Sequence, residues 1–182
     1  MNKKEQNAPP IYIGELNGTA LGDFRIAASD LGLVAIEWAD SQSEFDAYLA
    51  RLKRPIVEDA KRIKPYAKEL VEYFKGKRRT FTFPIDWTRF TAFQRKALQA
   101  VFLIPYGETR TYMDIARQIK RPRAYRAVGN ANATNPMPLV IPCHRVVGAD
   151  GKLHGYGGGQ GLKTKAWLLK MENATIASTT TA

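Results

Sequence analysis

The sequence predicts an α+β protein of two domains, a small antiparallel sheet with helices first and a mainly helical unit with a helix-turn-helix second. Three observations carry that prediction. The first 38 residues hold three short apolar runs separated by turn signals, whereas nearly everything apolar after residue 90 recurs at helical spacing. Hydrophobic residues make up 45% of the 182 residues, enough for a packed core and too many for disorder. The charge is divided unequally. Residues 1–80 carry 14 basic and 12 acidic side chains, net +2, and residues 81–182 carry 14 and 5, net +9.

Ile11–Leu16, Gly22–Ala28 and Gly32–Trp38 are separated by Asn17-Gly18 and Ser29-Asp30 and read as an antiparallel meander. Ser41–Leu52 places Phe45, Tyr48, Leu49 and Leu52 on one helical face. Pro65–Phe74 reads as a second helix, opened by its proline and closed by Gly76. Arg79–Ile85 suits a strand or an extended linker, and the boundary is expected near Pro84–Thr88, giving domains 1–86 and 87–172 and a frayed polar tail over 173–182.

In the second half, Thr91–Leu103 aligns Phe93, Ala97, Leu98 and Val101, and Pro105-Tyr106-Gly107 ends it. Thr111 is placed to cap a helix that runs to Ile119. The basic turn Lys120–Arg123 leads into a helix over 124–133, which stops before Asn135-Pro136. Leu139-Val140-Ile141 should be buried, a glycine-rich loop spans Gly155–Gly159, and Leu162–Glu172 forms the last helix.

Composition narrows the function. One cysteine and two histidines exclude a disulfide framework, imply a reducing compartment and leave too few soft ligands for an ordinary structural zinc site; no metal or cofactor is expected. The first ten residues carry no apolar export segment, and no run of 18 apolar residues occurs, so neither export nor a membrane partner is expected and the cytoplasm is the expected location. A net charge of +11 makes nucleic acid the default polyanionic partner. Between Arg110 and Arg126 lie six basic residues and one acid, Asp114, a density suited to phosphates.

A lone cysteine is most often a small buried hydrophobe. Cys143 stands instead beside His144 and Arg145, in the run Pro142-Cys143-His144-Arg145-Val146-Val147. An adjacent imidazole, or a water it holds, can take a thiol proton, and nearby cations stabilise the thiolate. A relay of this kind needs a carboxylate to orient the imidazole. Beyond residue 126 only Asp150 and Glu172 are available, and Glu172, on the last helix, is the better candidate.

These residues carry a resemblance. Arg126-Ala127-Val128-Gly129, Asn135-Pro136, Ile141-Pro142-Cys143-His144-Arg145-Val146 and Gly155-Tyr156-Gly157-Gly158, with Phe93-Gln94 and Ile104–Thr109 upstream, resemble the O6-alkylguanine-DNA alkyltransferases, also called methylated-DNA–protein-cysteine methyltransferases. The strong match covers about residues 90–172. The resemblance implies direct, irreversible transfer of an alkyl group from O6-alkylguanine in double-stranded DNA to Cys143, once per molecule, by a monomer that needs no cofactor. Activity on O4-alkylthymine is left open.

It implies that His144, through a water, and Glu172 activate Cys143, and that Asn135 ties the recognition helix to the active-site turn. Tyr112 crowds the target nucleotide and donates to the extruded guanine. Arg126 fills the space that the base leaves. Ala127 and Arg123 contact DNA beside it, in the minor groove. Pro138 and Tyr156 line the pocket, while the backbone of Gly157 and the carbonyls of Cys143 and Val146 read the guanine edge. Members with a structural zinc carry cysteine in the first domain; this chain has none there. Ala133 stands where many members have glycine, and the stretch from Gly157 to Leu168 is slightly longer than the common pattern. Three other readings compete: a lesion-binding protein of this type without transfer, which lacks the cysteine; a fused transcriptional regulator; and a Cys-His hydrolase, which would turn over repeatedly.

Overall fold

A computed structural model describes residues 8–175. The chain divides into two compact units, residues 1–86 and 87–182. Expectations for the extreme N-terminus and for the tail beyond residue 175 lie outside the described residues. Among the described residues no helix is long and apolar enough to cross a membrane.

The first unit is built on a four-stranded sheet of order β3-β2-β1-β4. Strands β1 (Ile11–Thr19), β2 (Gly22–Ser29) and β3 (Gly32–Trp38) form the expected antiparallel meander. Both faces of this sheet are covered, which is why β2 and β3 are nearly continuous in apolar residues rather than alternating. On one face Ile11, Ile13, Ala27, Val34 and Ala35 pack with Phe45 and Leu49 of α1 (Gln42–Arg51). On the other, the Phe24 ring stacks 5.6 Å from Phe74 of α2 (Ala60–Phe74) and 4.9 Å from Trp38.

Two expectations are corrected here. Helix α2 starts before Pro65, because Asp59 accepts the backbone N–H of Arg62 at 3.0 Å and caps a turn that already contains Ile63. Pro65 lies within the helix, where it removes one backbone hydrogen bond. Burial of Ile63, Leu70 and Tyr73 along the same face holds the helix through it. The other is the first turn of the meander, which falls at Ala20-Leu21, because β1 continues through the expected turn Asn17-Gly18 to Thr19. A fourth strand, β4 (Ile56–Glu58), short, exposed and unforeseen, pairs parallel with β1. Three exposed residues have no periodicity to read; the free edge of β1 selects their conformation.

Residues 79–85 form no strand. Their end is anchored by single contacts: Leu33 N–H to Pro84 O at 2.9 Å, Asp86 N–H to Leu33 O at 2.9 Å, and Ser29 Oγ to Asp86 Oδ2 at 2.7 Å. Gly32 permits this approach. Its φ is +132°, and a Cβ there would stand 2.4 Å from the Pro84 carbonyl oxygen. Gly32→Ala is expected to destabilise the protein by about 2 kcal/mol or more. Chemical denaturation checks this; an unchanged midpoint would show that the segment carries no such constraint.

The second unit is helical. Helix α3 (Ala92–Phe102) opens on a capping box of Thr91 and Gln94, and α4 (Tyr112–Gln118) on one of Thr111 and Asp114. A short turn, Pro122–Ala124, leads into α5 (Tyr125–Ala133), completing the helix-turn-helix. Residues 137–147 are buried throughout. Within them β6 (Val146–Val147) pairs parallel with β5 (Arg110–Thr111). Helix α6 (Leu162–Met171) follows the glycine-rich loop. Part of the expected frayed tail is tied down: Thr175 donates to Gly107 O at 3.0 Å, and Thr109 Oγ1 donates to Thr175 O at 2.8 Å.

Candidate active site

Cys143 opens a single turn of 3-10 helix, Cys143–Arg145, immediately after the buried run 137–142. The tight geometry has a local cause: Cys143 N–H bonds Ile141 O at 2.7 Å and Arg145 N–H bonds Pro142 O at 2.8 Å. Asn135, just past the end of α5, holds the turn. Its Nδ2 donates to Ile141 O at 2.9 Å and to Cys143 Sγ at 3.3 Å, and its Oδ1 accepts from Met137 N–H at 3.0 Å. The recognition helix and the thiol are thereby tied by one side chain.

Behind the thiol lies a buried chain of charge. His144 is fully buried, and its Nε2 stands 3.0 Å from Glu172 Oε1. Arg145 grips the same carboxylate with two nitrogens at 2.8 Å and sends a third to Ile104 O at 2.7 Å. Glu172 is the residue that ends α6, so the helix fixes its position. Although burial alone opposes its charge, the hydrogen bonds and charges of His144 and Arg145 hold the Glu172 carboxyl well below the usual carboxylate range. Burial pushes the His144 imidazole down, so it is neutral at physiological pH and able to accept a proton. With Nε2–H donated to the ionised Glu172, Nδ1 is the free acceptor, and it has no partner among the described residues. Burial likewise pushes the Cys143 thiol up, opposed by the Asn135 hydrogen bond and the charge of Lys165. Such a thiol needs a base to become a nucleophile.

In front of the thiol is a cavity of about 340 Å³, lined by Tyr112, Gly129, Asn132, Ala133, Cys143, Gly155, Tyr156 and Gly157. The α5 wall comes from positions i, i+3 and i+4, and the glycine-rich loop forms part of the lining as well. Burial, and to a lesser degree the neighbouring thiol, push the Tyr112 phenol up, so it is a proton donor at neutral pH. Arg123, Arg126 and Ala127 are exposed around the start of α5, and Arg126 lies 5.7 Å from the Tyr125 ring. Of the expected pocket residues, Tyr156 and Gly157 line the cavity; Pro138 and Val146 do not. Pro138 is buried between Met137 and Leu139, and Val146 is buried in β6 with its carbonyl bound to Lys165 Nζ at 2.7 Å.

The comparisons with known proteins agree with this geometry. Residues 92–174 match the 6-O-methylguanine DNA methyltransferase DNA binding domain, and residues 15–87 match the ribonuclease-like domain of the same proteins. The inducible methylated-DNA–protein-cysteine methyltransferase of Bacillus subtilis is 42% identical over 163 residues, 88% of this chain and 90% of that protein. The chain belongs to the methylated-DNA–protein-cysteine methyltransferase family. The Methanosarcina barkeri methyltransferase is 40% identical over 156 residues, covering 86% of this chain and 94% of its own. Among solved structures, Mycobacterium tuberculosis OGT in complex with DNA superposes with a TM-score of 0.74 at 35% identity, covering 90% of this chain and 92% of that one.

Two side chains of this family member escape a reading of the sequence. Arg145 reads as a cation near the thiol, yet its guanidinium is spent on Glu172. Lys165 reads as an ordinary surface lysine of α6. It is fully buried, donates to Val146 O at 2.7 Å and His154 O at 2.8 Å, and its pKa is lowered by burial to about 8. It thus links the segment after the cysteine to the loop that lines the cavity. The available signal was position: Lys165 lies three and four residues before the buried Leu168 and Leu169, on the inward stripe of the helix.

Proposed function

We propose that this protein repairs DNA by moving an alkyl group from O6 of a guanine to the sulfur of Cys143, once per molecule. The observation that carries this reading is the thiol itself. It lines a cavity and accepts a hydrogen bond from Asn135, and the adjacent His144 is backed by an ionised carboxylate.

In this reading His144, through a water, takes the Cys143 proton while Glu172 keeps the imidazole in the right tautomer. Thiolate sulfur attacks the alkyl carbon, the C–S bond forms, and the C–O6 bond breaks. Guanine leaves as its anion and is neutralised by a donated proton, for which the Tyr112 phenol is the candidate donor. Donors on the guanine edge stabilise the charge that develops there. The product is a thioether. Nothing in a displacement of this kind regenerates the thiol, which separates it from a Cys-His hydrolase.

An O6-alkyl group inside a duplex is out of reach, so the nucleotide must be extruded into the cavity, at a cost of a few kcal/mol. Arg126, exposed at the start of α5, is suited to fill the vacated stack, with Arg123 and Ala127 beside it against the minor groove. Binding that rests on phosphates is weak in sequence preference and falls with salt. The protein acts as a monomer in the reducing compartment that holds the DNA.

The test is the mass of the intact protein after incubation with an oligonucleotide carrying O6-methylguanine. A gain of one methylene per molecule, mapped to Cys143, is expected; repeated turnover or an unmodified folded protein would overturn the reading. Arg126→Ala is expected to slow transfer from duplex about tenfold or more, while transfer from free O6-benzylguanine is unchanged. An equal fall on both substrates would remove Arg126 from the extrusion step.

A further inference from the structure

Two asparagines of the site stand three residues apart and are treated in opposite ways. Asn135 uses its whole carboxamide on Ile141 O, Cys143 Sγ and Met137 N. Asn132, on the inward side of α5, is 9% exposed; neither polar atom of its carboxamide reaches solvent, and neither has a hydrogen-bond partner among the described residues. A buried amide with no partner is costly, and an apolar residue of the same size would avoid that cost. Its neighbours on the buried face of α5, Val128 and Ala131, are apolar, so packing gives no reason for an amide here.

What Asn132 does share is the cavity wall, with Gly129 and Ala133 on the same helix and the Cys143 thiol on the same lining. Among the described residues this carboxamide has no partner, and the cavity that Asn132 lines is where one can arrive, once the side chain turns its buried polar atoms toward it. We propose that Asn132 is a base-recognition residue, whose carboxamide hydrogen-bonds the polar edge of the extruded purine. This rests on the alkyl-transfer reading above and goes beyond it, naming a specificity determinant. The match is chemical. A carboxamide presents a donor and an acceptor side by side, and a guanine edge presents ring-nitrogen acceptors beside an exocyclic amine donor. Unsatisfied polarity concentrated at a binding wall is stability given up for recognition.

The test is Asn132→Leu, which keeps approximate size and removes both polar atoms. Two substrates are used: O6-methylguanine in duplex DNA and O6-benzylguanine as the free base. Neither substituent carries a hydrogen-bonding atom, so the hydrogen bonds that the substitution removes must be bonds to the purine. Single-turnover transfer is expected to fall about tenfold on both substrates, equal to about 1.4 kcal/mol. The melting temperature is expected to stay the same or rise, which a structural asparagine would not produce.

Unchanged rates on both substrates would overturn the proposal. So would a fall on duplex alone, which places the interaction on the DNA backbone, or slower transfer together with a lower melting temperature. If the leucine variant does not fold, Asn132→Ala is measured for the same fall on both substrates. Wild-type protein that forms no thioether from either substrate refutes the alkyl-transfer reading itself. A wild type that alkylates normally beside an indistinguishable Asn132→Leu refutes only this inference.

Discussion

Cys143→Ala is expected to abolish alkyl transfer while leaving DNA affinity and fold in place. The chain has one cysteine, so no second thiol can take the alkyl group. The side chain is small and its removal leaves the surrounding hydrogen bonds standing: Asn135 Nδ2 keeps Ile141 O at 2.9 Å, and Oδ1 keeps Met137 N–H. Cys143 is 7% exposed, so a loss of about 1 kcal/mol in stability is expected from the missing sulfur. The exposed groups assigned to DNA, Arg123, Arg126 and Ala127, are on a different element. Intact-protein mass after exposure to O6-methylguanine DNA, paired with a mobility-shift titration, separates the two functions. Parallel loss of binding would make Cys143 a structural residue, and an adduct on the variant would place the acceptor elsewhere.

Glu172→Gln is expected to be the most destabilising single change in the site, by about 3–5 kcal/mol. The substitution is nearly isosteric, but it leaves the buried Arg145 guanidinium without the carboxylate that grips two of its nitrogens at 2.8 Å. It also removes the anion that fixes the His144 tautomer, so alkylation slows and the apparent pKa of the thiol rises. The pH dependence has a definite sign. Because the folded protein holds the Glu172 carboxyl below its unfolded value, its contribution is complete above the ordinary carboxyl pKa of about 4.3 and is lost as pH falls through the lowered folded value. The gap in melting temperature between wild type and Glu172→Gln is therefore expected to be on the order of 10 °C near neutrality. It should hold down to about pH 5 and narrow below about pH 4. A gap independent of pH down to strong acid would mean that the carboxyl is not held ionised by this pair.

Most regular elements of the first unit and the four described α-helices of the second were legible because their signals are local. Thr91 with Gln94 and Thr111 with Asp114 announce helix starts through bonds made within one turn. The meander follows from its apolar runs and the turn signal at Ser29-Asp30, whereas Asn17-Gly18 lies inside β1 at an irregularity and the first turn falls at Ala20-Leu21. The failures have a common cause. Ile56–Glu58 becomes a strand only because β1 offers an edge, and Pro65 is carried inside a helix only because Ile63, Leu70 and Tyr73 have a sheet to pack against. Pro138 and Val146 lie in a buried segment and outside the cavity lining, a placement that depends on which side of the segment meets the void.

The sequence by itself determined the kind of chemistry: one thiol beside an imidazole, a carboxylate in reserve, a basic helix-turn-helix, and no second thiol to compete. These are properties of residue type and of spacing within a few positions. Only the tertiary structure decided how each group is used. His144 meets Glu172 across 28 residues, Arg145 meets Ile104 across 41, and Lys165 reaches Val146 across 19. Those pairings and the burial around them set the protonation of the thiol, the imidazole and the carboxylate, because the energy of a charge depends on its solvent exposure and its neighbours in space. They also leave the Asn132 carboxamide without a partner among the described residues, an outcome that no local pattern in the chain encodes.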